Sequence, residues 1–388
     1  MQRRQWLKGA GAGFAALSFA GIPSAWANSA TNAPRLLVVL LRGGMDGLAA
    51  VPPIGDTSYA AIRPTIAVNN SLRLDGSFGL HPSLKHLHQL WGQEQLAVVH
   101  STGFDYAGRS HFEGQDVMQS GMPKPYTSAS GWLGRAMQVA GVAGGVSISI
   151  PMPLILRGNS ESSTKFPNWM PPLTPTVADS LEALWSKDGL MSPYASIIRA
   201  EAASQRQGVM NRPDFASARS LPELGRLAGL EMGKPQGPRV GLIDFTNGFD
   251  THASQGADQG AHADQLVKVD QLIQNFQASM GSKWADALVV TVTEFGRTAA
   301  ENGTTGTDHG VGTCCLLVGG LIGRAKVYAD WRGLHKDQLF EGRDLPPTVD
   351  VAAVYAKVIE RLFELTPSAI QQQVIAHKPN AALNGLLV

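Results

Sequence analysis

The stretch Leu288–Gly310, LVVTVTEFGRTAAENGTTGTDHG, decides how this chain reads. It begins with an apolar, β-branched run of strand length that ends in a carboxylate, Glu294. A loop rich in Gly, Thr and Asn follows, then a second acid beside a histidine, Asp308-His309. Runs such as Leu288–Thr293 suit a strand buried on both faces in a parallel sheet. In open parallel sheets ligands bind beyond the carboxyl ends of the strands, where Glu294 and the loop after it fall. Two further carboxylates share that setting. Asp46 follows Leu36–Leu41 in LLVVLLRGGMDG, and Asp250 follows Val240–Ile243 in VGLIDFTNGFDTH. Three strands that each deliver an acid to one edge, two of them with a histidine within two residues, point to a metal-centred site.

Working outward, strand patterns fall near 36–41, 96–100, 147–150, 240–244, 288–293 and 314–318, with 325–329 as an edge strand. Helical patterns separate several of them. Leu266, Val269, Leu272, Ile273, Phe276 and Met280 form one stripe over 260–280. Val351, Val354, Tyr355, Val358, Ile359 and Leu362 form another over 349–364, after a Pro346-Pro347-Thr348 start signal. Strands alternating with helices predict a three-layer α/β domain, a mostly parallel sheet with helices on both faces. Residues 151–235 break the alternation with Pro-rich, polar loops followed by helical stretches. They read as an inserted helical or loop region within one domain spanning 28–388, because the acid-bearing motifs lie on both sides of them.

Residues 1–27, MQRRQWLKGAGAGFAALSFAGIPSAWA, read as an export signal that is removed. Arg3-Arg4 precede an apolar segment, Gly9–Ile22, too short to span a bilayer, and Ala25-Trp26-Ala27 supplies a small-x-small cleavage pattern. Arg3-Arg4-Gln5-Trp6-Leu7-Lys8 resembles a twin-arginine signal, with an ordinary secretory signal as the other reading. The expectation is a mature chain from Asn28, delivered folded to the periplasm or beyond by the twin-arginine machinery. Without Arg3, Arg4 and Lys8, 29 basic and 31 acidic residues remain, a net charge of −2. No basic stripe is present, which argues against a nucleic-acid partner, and no later run is apolar enough for a membrane span. Cys314 and Cys315 are adjacent, so their side chains point to opposite faces of a strand and read as buried free thiols.

The motifs resemble the alkaline phosphatase superfamily of phosphatases, sulfatases and cofactor-independent phosphoglycerate mutases. They are similar in particular to its exported branch, the domain of unknown function number 1501. The resemblance rests on RGGMDG (42–47), LHPSLKHL (80–87), RSHFEGQD (109–116), FDTH (249–252), TEFGRT (293–298) and TDHG (307–310), in the family's order from about Arg35 to the C-terminus. It implies acids and histidines at strand ends that hold one or two divalent ions beside a nucleophile.

On that basis, one tight site is expected from Asp250, His252 and His309. Asp250 and His252 are two apart and share a face in extended chain. Asp46, Glu294 and Asp308 would form a weaker, oxygen-rich second site, since Phe295 stands where the superfamily usually carries a histidine. Mixed ligation suits Zn²⁺ or Mn²⁺ and a carboxylate site Mg²⁺ or Ca²⁺. Asp46 also reads as a turn residue capping its own backbone. Ser110, with Glu113 three residues on, reads as a capping box; the resemblance makes it also the nucleophile. Arg42 and Arg297 read as donors to an oxyanion, with pairing to an acid as the other reading for Arg42. His81 and His100 read as structural histidines. The sulfatase formylglycine motif is missing. Two functions remain: a metal-dependent hydrolase of an anionic phosphate or sulfate ester, or a catalytically degenerate metal-binding or envelope-assembly protein on the same scaffold.

Overall fold

The computed structural model describes residues 33–148, 152–164, 175–186, 220–246 and 248–388. The export signal therefore lies outside the described residues. Strand β1 (Arg35–Leu41) is the axis of the fold, and all seven of its residues are buried. Strict alternation divides them between two layers. Leu36, Val38 and Leu40 enter one core with Trp132, Leu133, Tyr355 and Ile359, where Trp132 stacks on Tyr355 at 4.1 Å. Leu37, Val39 and Leu41 enter the opposite core with Leu90, Leu227, Ile273 and Phe276. A strand buried on both faces has no use for polar residues, which is why this run carries none after Arg35.

The other strands follow in chain order. They are β2 (Leu72–Arg73), β3 (Gly79–Leu80), β4 (Leu96–Gly103), β5 (Val146–Ser147), β6 (Ser163–Thr164), β7 (Val240–Phe245), β8 (Ala287–Val292), β9 (Thr313–Val318), β10 (Val327–Tyr328) and β11 (Val349–Asp350). Strands β2 and β3 form a separate antiparallel ribbon. The main sheet runs β10-β4-β9-β8-β1-β7-β5-β6, with β11 also on β4. Only β9 is antiparallel to its neighbours, β4 and β8. The architecture is the expected three-layer, mostly parallel α/β sheet, and β10 lies at its edge as predicted. Since β7, β1 and β8 are adjacent and parallel, with Leu41 level with Phe245 and Leu40 with Val292, their carboxyl ends open on one edge.

The helix Ala261–Met280 lies where the apolar stripe placed it. The second stripe divides at Asp350: Val349–Asp350 joins the sheet, then Asp350 accepts from the Ala352 amide and starts the helix Val351–Phe363. Parts of the presumed insertion are built into the domain. β6 extends the sheet from β5, and the helix Leu221–Met232 packs on Ala261–Met280. Its Gly225 and Gly229 make this contact close, since a Cβ on either would stand 2.3 Å from the Leu272 carbonyl oxygen and 2.6 Å from that of Phe276. Residues 151, 165–174 and 187–219 of that region lie outside the described residues. Cys314 and Cys315 are buried free thiols in opposite cores. Among the described residues, no helix is long and apolar enough to cross a membrane.

Candidate metal centre

Four segments meet at the carboxyl edge of β1, β7 and β8. The first leaves β1 as Arg42-Gly43-Gly44. Gly43 has φ +114°, and a Cβ there would fall 2.7 Å from the Asp250 backbone nitrogen, so only glycine lets the two loops approach. The second leaves β7 and carries Asp250 and His252. The third leaves β8, and its residues 296–298 pair with 308–311 in a short antiparallel ladder through Gly296 N–Val311 O, Thr298 N–Asp308 O and Gly310 N–Gly296 O bonds. That ladder fixes Arg297 and His309 side by side. The fourth is the start of the helix His111–Ser120, entered through Arg109 at φ +54°.

Three imidazole Nε2 atoms converge there on one carboxylate. His309 Nε2 lies 3.0 Å from His111 Nε2, 3.1 Å from His252 Nε2 and 3.1 Å from Asp250 Oδ1. His252 Nε2 is 3.0 Å from Asp250 Oδ1, and His111 Nε2 is 3.4 Å from Asp250 Oδ2. The other nitrogen of each ring faces an acceptor. His111 Nδ1 meets Glu294 Oε1 at 2.8 Å, His252 Nδ1 meets Asp308 Oδ1 at 3.2 Å, and His309 Nδ1 meets the Arg109 carbonyl at 2.9 Å. An acceptor on Nδ1 holds its proton there and turns the Nε2 lone pair inward. The His309 lone pair, about 3 Å from each of the other two, is repelled by them unless a cation or added protons lie between. This donor set, with carboxylate and carbonyl partners behind the rings, could hold a divalent ion. His111, Asp250 and His309 alone bring ligand atoms within 4.8 Å of one another.

The charges agree with that arrangement. The hydrogen bond to Glu294 raises the pKa of His111, which favours a proton between the rings when no ion is bound. Burial lowers that of His309 and keeps it a neutral donor. Burial pushes the Asp250 carboxyl up, but the Arg297 guanidinium, donating to Oδ1 at 2.7 Å, more than offsets this and keeps it ionised.

The structure brings Asp250, His252 and His309 together and adds His111, which the sequence reading left without a role. Its signal was its place in RSHFEGQD beside the presumed nucleophile, but no spacing to the other histidines marked it.

The other expected ligands sit elsewhere. Asp46 is fully buried, accepts from Arg63 Nη1 at 2.6 Å, Nη2 at 3.1 Å and Gln255 Nε2 at 2.6 Å, and caps the Leu48 and Ala49 amides. Burial alone would raise its pKa, but the Arg63 charge brings it to about 2. With both oxygens engaged, Asp46 is a buried ion-pair partner and helix cap in place of a metal ligand. Glu294 is engaged in the same way by His111, the Gly43 amide, Gln115 and the Thr293 hydroxyl. Asp308 is half exposed and its Oδ1 accepts from Asn302. Both acids therefore stand behind histidines, where the sequence reading placed a second, oxygen-rich ion site.

Of the two arginines, Arg42 takes the second of its readings, pairing with an acid, and Arg297 departs from the expectation. Arg42 forks onto Asp244 at 2.6 and 2.5 Å and reaches Gln115. Arg297 is buried against Thr307, the Gly43 carbonyl and Asp250. Neither faces outward as an oxyanion donor. Ser110 precedes the helix without a side-chain cap, and Glu113 accepts from the Tyr106 hydroxyl at 2.7 Å, so the capping box does not form. The Phe295 ring lies 4.8 Å from that of His111 and 4.9 Å from that of His309, forming an apolar wall against both.

Residues 230–377 match the family described as "Protein of unknown function (DUF1501)". No curated protein matches the chain. Among solved structures, the chain is similar to Ps i-CgsB over 88% of its length and 74% of that chain, at 11% identity and a TM-score of 0.45. It is similar to the PsFucS1 sulfatase from Pseudoalteromonas sp. over 92% of its length and 72% of that chain, at 11% identity and 0.42. A protein in the alkaline phosphatase superfamily from Vibrio parahaemolyticus is similar over 74% of this chain and 60% of its own, at 12% identity and 0.39.

Proposed function

We propose that this chain, whose residues 230–377 match the DUF1501 family, is a divalent-metal-dependent hydrolase of a phosphate or sulfate ester. The observation that carries this reading is the convergence of His111, His252 and His309 Nε2 on Asp250. These four residues would hold the ion, and their nitrogen-rich set favours Zn²⁺ or Mn²⁺ over Mg²⁺ or Ca²⁺. Such an ion supplies Lewis-acid polarisation of an ester oxygen and a lowered pKa for water. The chain's own groups supply the rest. Phe295 excludes water from one side of the rings, and Glu294, Asp308 and the Arg109 carbonyl hold their proton-bearing nitrogens outward. Ser110, beside His111 and free of a capping role, is the proposed nucleophile.

A cavity of about 390 Å³ adjoins the cluster at Asp308, with Ile62, Leu334 and Leu339 as apolar wall and Asn302 and Arg343 as polar groups. It is of a size for the body of a small-molecule ester. The test is turnover of an aryl phosphate and an aryl sulfate by the Zn²⁺- or Mn²⁺-loaded protein, with Ser110→Ala and His309→Ala as controls. Turnover of either, lost in both variants, is the expected result. Metal-loaded protein that turns over neither ester would favour the second reading, a metal-binding protein without catalysis. That reading draws support from the engagement of Arg42 and Arg297, which leaves neither free to meet an oxyanion.

The same proposal includes export by the twin-arginine route, supported by Arg3-Arg4 and Ala25-Trp26-Ala27. Replacing both arginines by lysine should retain the precursor in the cytoplasm, and unchanged delivery would refute that route.

A further inference from the structure

The two loops that carry the site are joined at one buried amide. Gln255 is fully buried, and its Oε1 accepts from the Thr251 hydroxyl at 2.8 Å and from the Thr307 hydroxyl at 2.7 Å. Thr251 lies between Asp250 and His252; Thr307 directly precedes Asp308 and His309. The backbones meet at the same point, where the Thr307 amide donates to the Thr251 carbonyl at 3.1 Å. On its other side, Gln255 Nε2 donates to Asp46 Oδ2 at 2.6 Å. That bond fixes which end of the amide faces the threonines, because a flipped amide would set its oxygen against the Asp46 carboxylate, which can only accept. Arg63 in turn holds Asp46 ionised. Thr307 Oγ1, having given its proton to Gln255, accepts from Arg297 Nε at 3.1 Å, and Arg297 Nη1 donates to Asp250 at 2.7 Å. From Arg297, donors thus run through Thr307 and Gln255 to the Asp46 carboxylate at one end, and Arg297 donates directly to the Asp250 carboxylate at the other.

We propose that Gln255 is a positioning residue of the metal centre, an amide clasp that sets the register between the Asp250/His252 loop and the Asp308/His309 loop, with its orientation imposed by Asp46. The proposal rests on the reading that the imidazole cluster holds a divalent ion. The side-chain hydrogen bonds of Gln255 go to Thr251, Thr307 and Asp46, and to none of the four proposed ligands. Its effect passes through Thr251, Thr307 and Arg297, and a shift of a few tenths of an ångström between the loops changes the opening that the donors present to the ion. Buried hydroxyls left without an acceptor would reorient and carry their loops with them.

The test titrates the full chain with Co²⁺, whose visible absorption reports ligand geometry, and follows thermal unfolding of the same metal-free proteins. Gln255→Leu should fold, bind Co²⁺ about tenfold to a hundredfold more weakly than wild type, and show a changed visible spectrum. Should that variant not fold, Thr251→Val and Thr251→Ser decide the matter. Valine removes the hydroxyl and should weaken binding, whereas serine restores the bond to Gln255 and should recover wild-type affinity and spectrum. Folded Gln255→Leu or Thr251→Val with wild-type Co²⁺ affinity and spectrum overturns the clasp while leaving the metal reading intact. Wild-type protein that takes up no Co²⁺ overturns the metal reading, and the clasp with it.

Discussion

At His309 the tautomer is set from behind. Its Nδ1 proton is held by the Arg109 carbonyl, so its Nε2 can serve the cluster only as a lone-pair donor. His111 is set likewise by Glu294, a carboxylate that lies under the site without entering it. Two tiers of effect follow for zinc binding measured by competition titration. Glu294→Gln keeps the shape but weakens the hold on His111, and affinity should fall about tenfold to a hundredfold. His111→Ala and His309→Ala remove a donor outright, and each should lower affinity by more than that. Phe295 offers no lone pair, so elemental analysis of purified protein should find one tightly held transition-metal ion per chain. Two tightly held ions would contradict this arrangement.

Elements are held at this edge by buried polar bonds and glycine contacts more than by propensity. The helix Ser58–Ile62 ends at Arg63, whose fully buried guanidinium also donates to the Ala299 and Thr298 carbonyls. One side chain thus ties the loop after β1 to the loop after β8. Arg63→Ala would strand the Asp46 carboxylate in the interior, and urea unfolding should show a loss of about 3–5 kcal/mol. On the opposite face, Gly225→Ala would drive a Cβ against the Leu272 carbonyl and force the helix Leu221–Met232 off its partner. Overpacking of this kind costs about 1–3 kcal/mol, to be read in the same experiment.

For the molecule as a whole, acid is the expected weakness. His100 and His262 are fully buried, and burial lowers their pKa values to about 4 and about 3. Neither ring nitrogen of His262 has a hydrogen-bond partner among the described residues. A histidine whose folded pKa is depressed contributes its full share of stability above the unfolded value near 6.5, and loses it as pH falls toward the folded value. Unfolding should therefore take up protons between about pH 6.5 and 4, and chemical stability should decline across that window. Asp46, held at about 2, extends the loss below about pH 4, since its contribution disappears as the carboxylate is protonated. His262→Phe should flatten the upper part of the curve. An equally steep profile in that variant would exclude His262 as a source.

The sequence by itself determined the layers, the parallel sheet and the edge at which the acids collect. The cues for these are local: β-branched runs of strand length, apolar stripes at helical spacing, and glycines where the chain turns at a strand end. Pairing Asp250 and His252 with His309 was also legible, because each follows a readable strand or closes the loop after one. Which carboxylates face the imidazole cluster was decided only by tertiary structure. Asp46 and Glu294 follow strands in the same way as Asp250, but Arg63, 17 residues from Asp46, and His111, 183 residues from Glu294, claim their oxygens. Arg297 is drawn inward by Asp250 from 47 residues away. A hydrogen bond reaches about 3 Å in space and carries no memory of sequence separation, so the role of a carboxylate is fixed by whichever donor the fold brings to it.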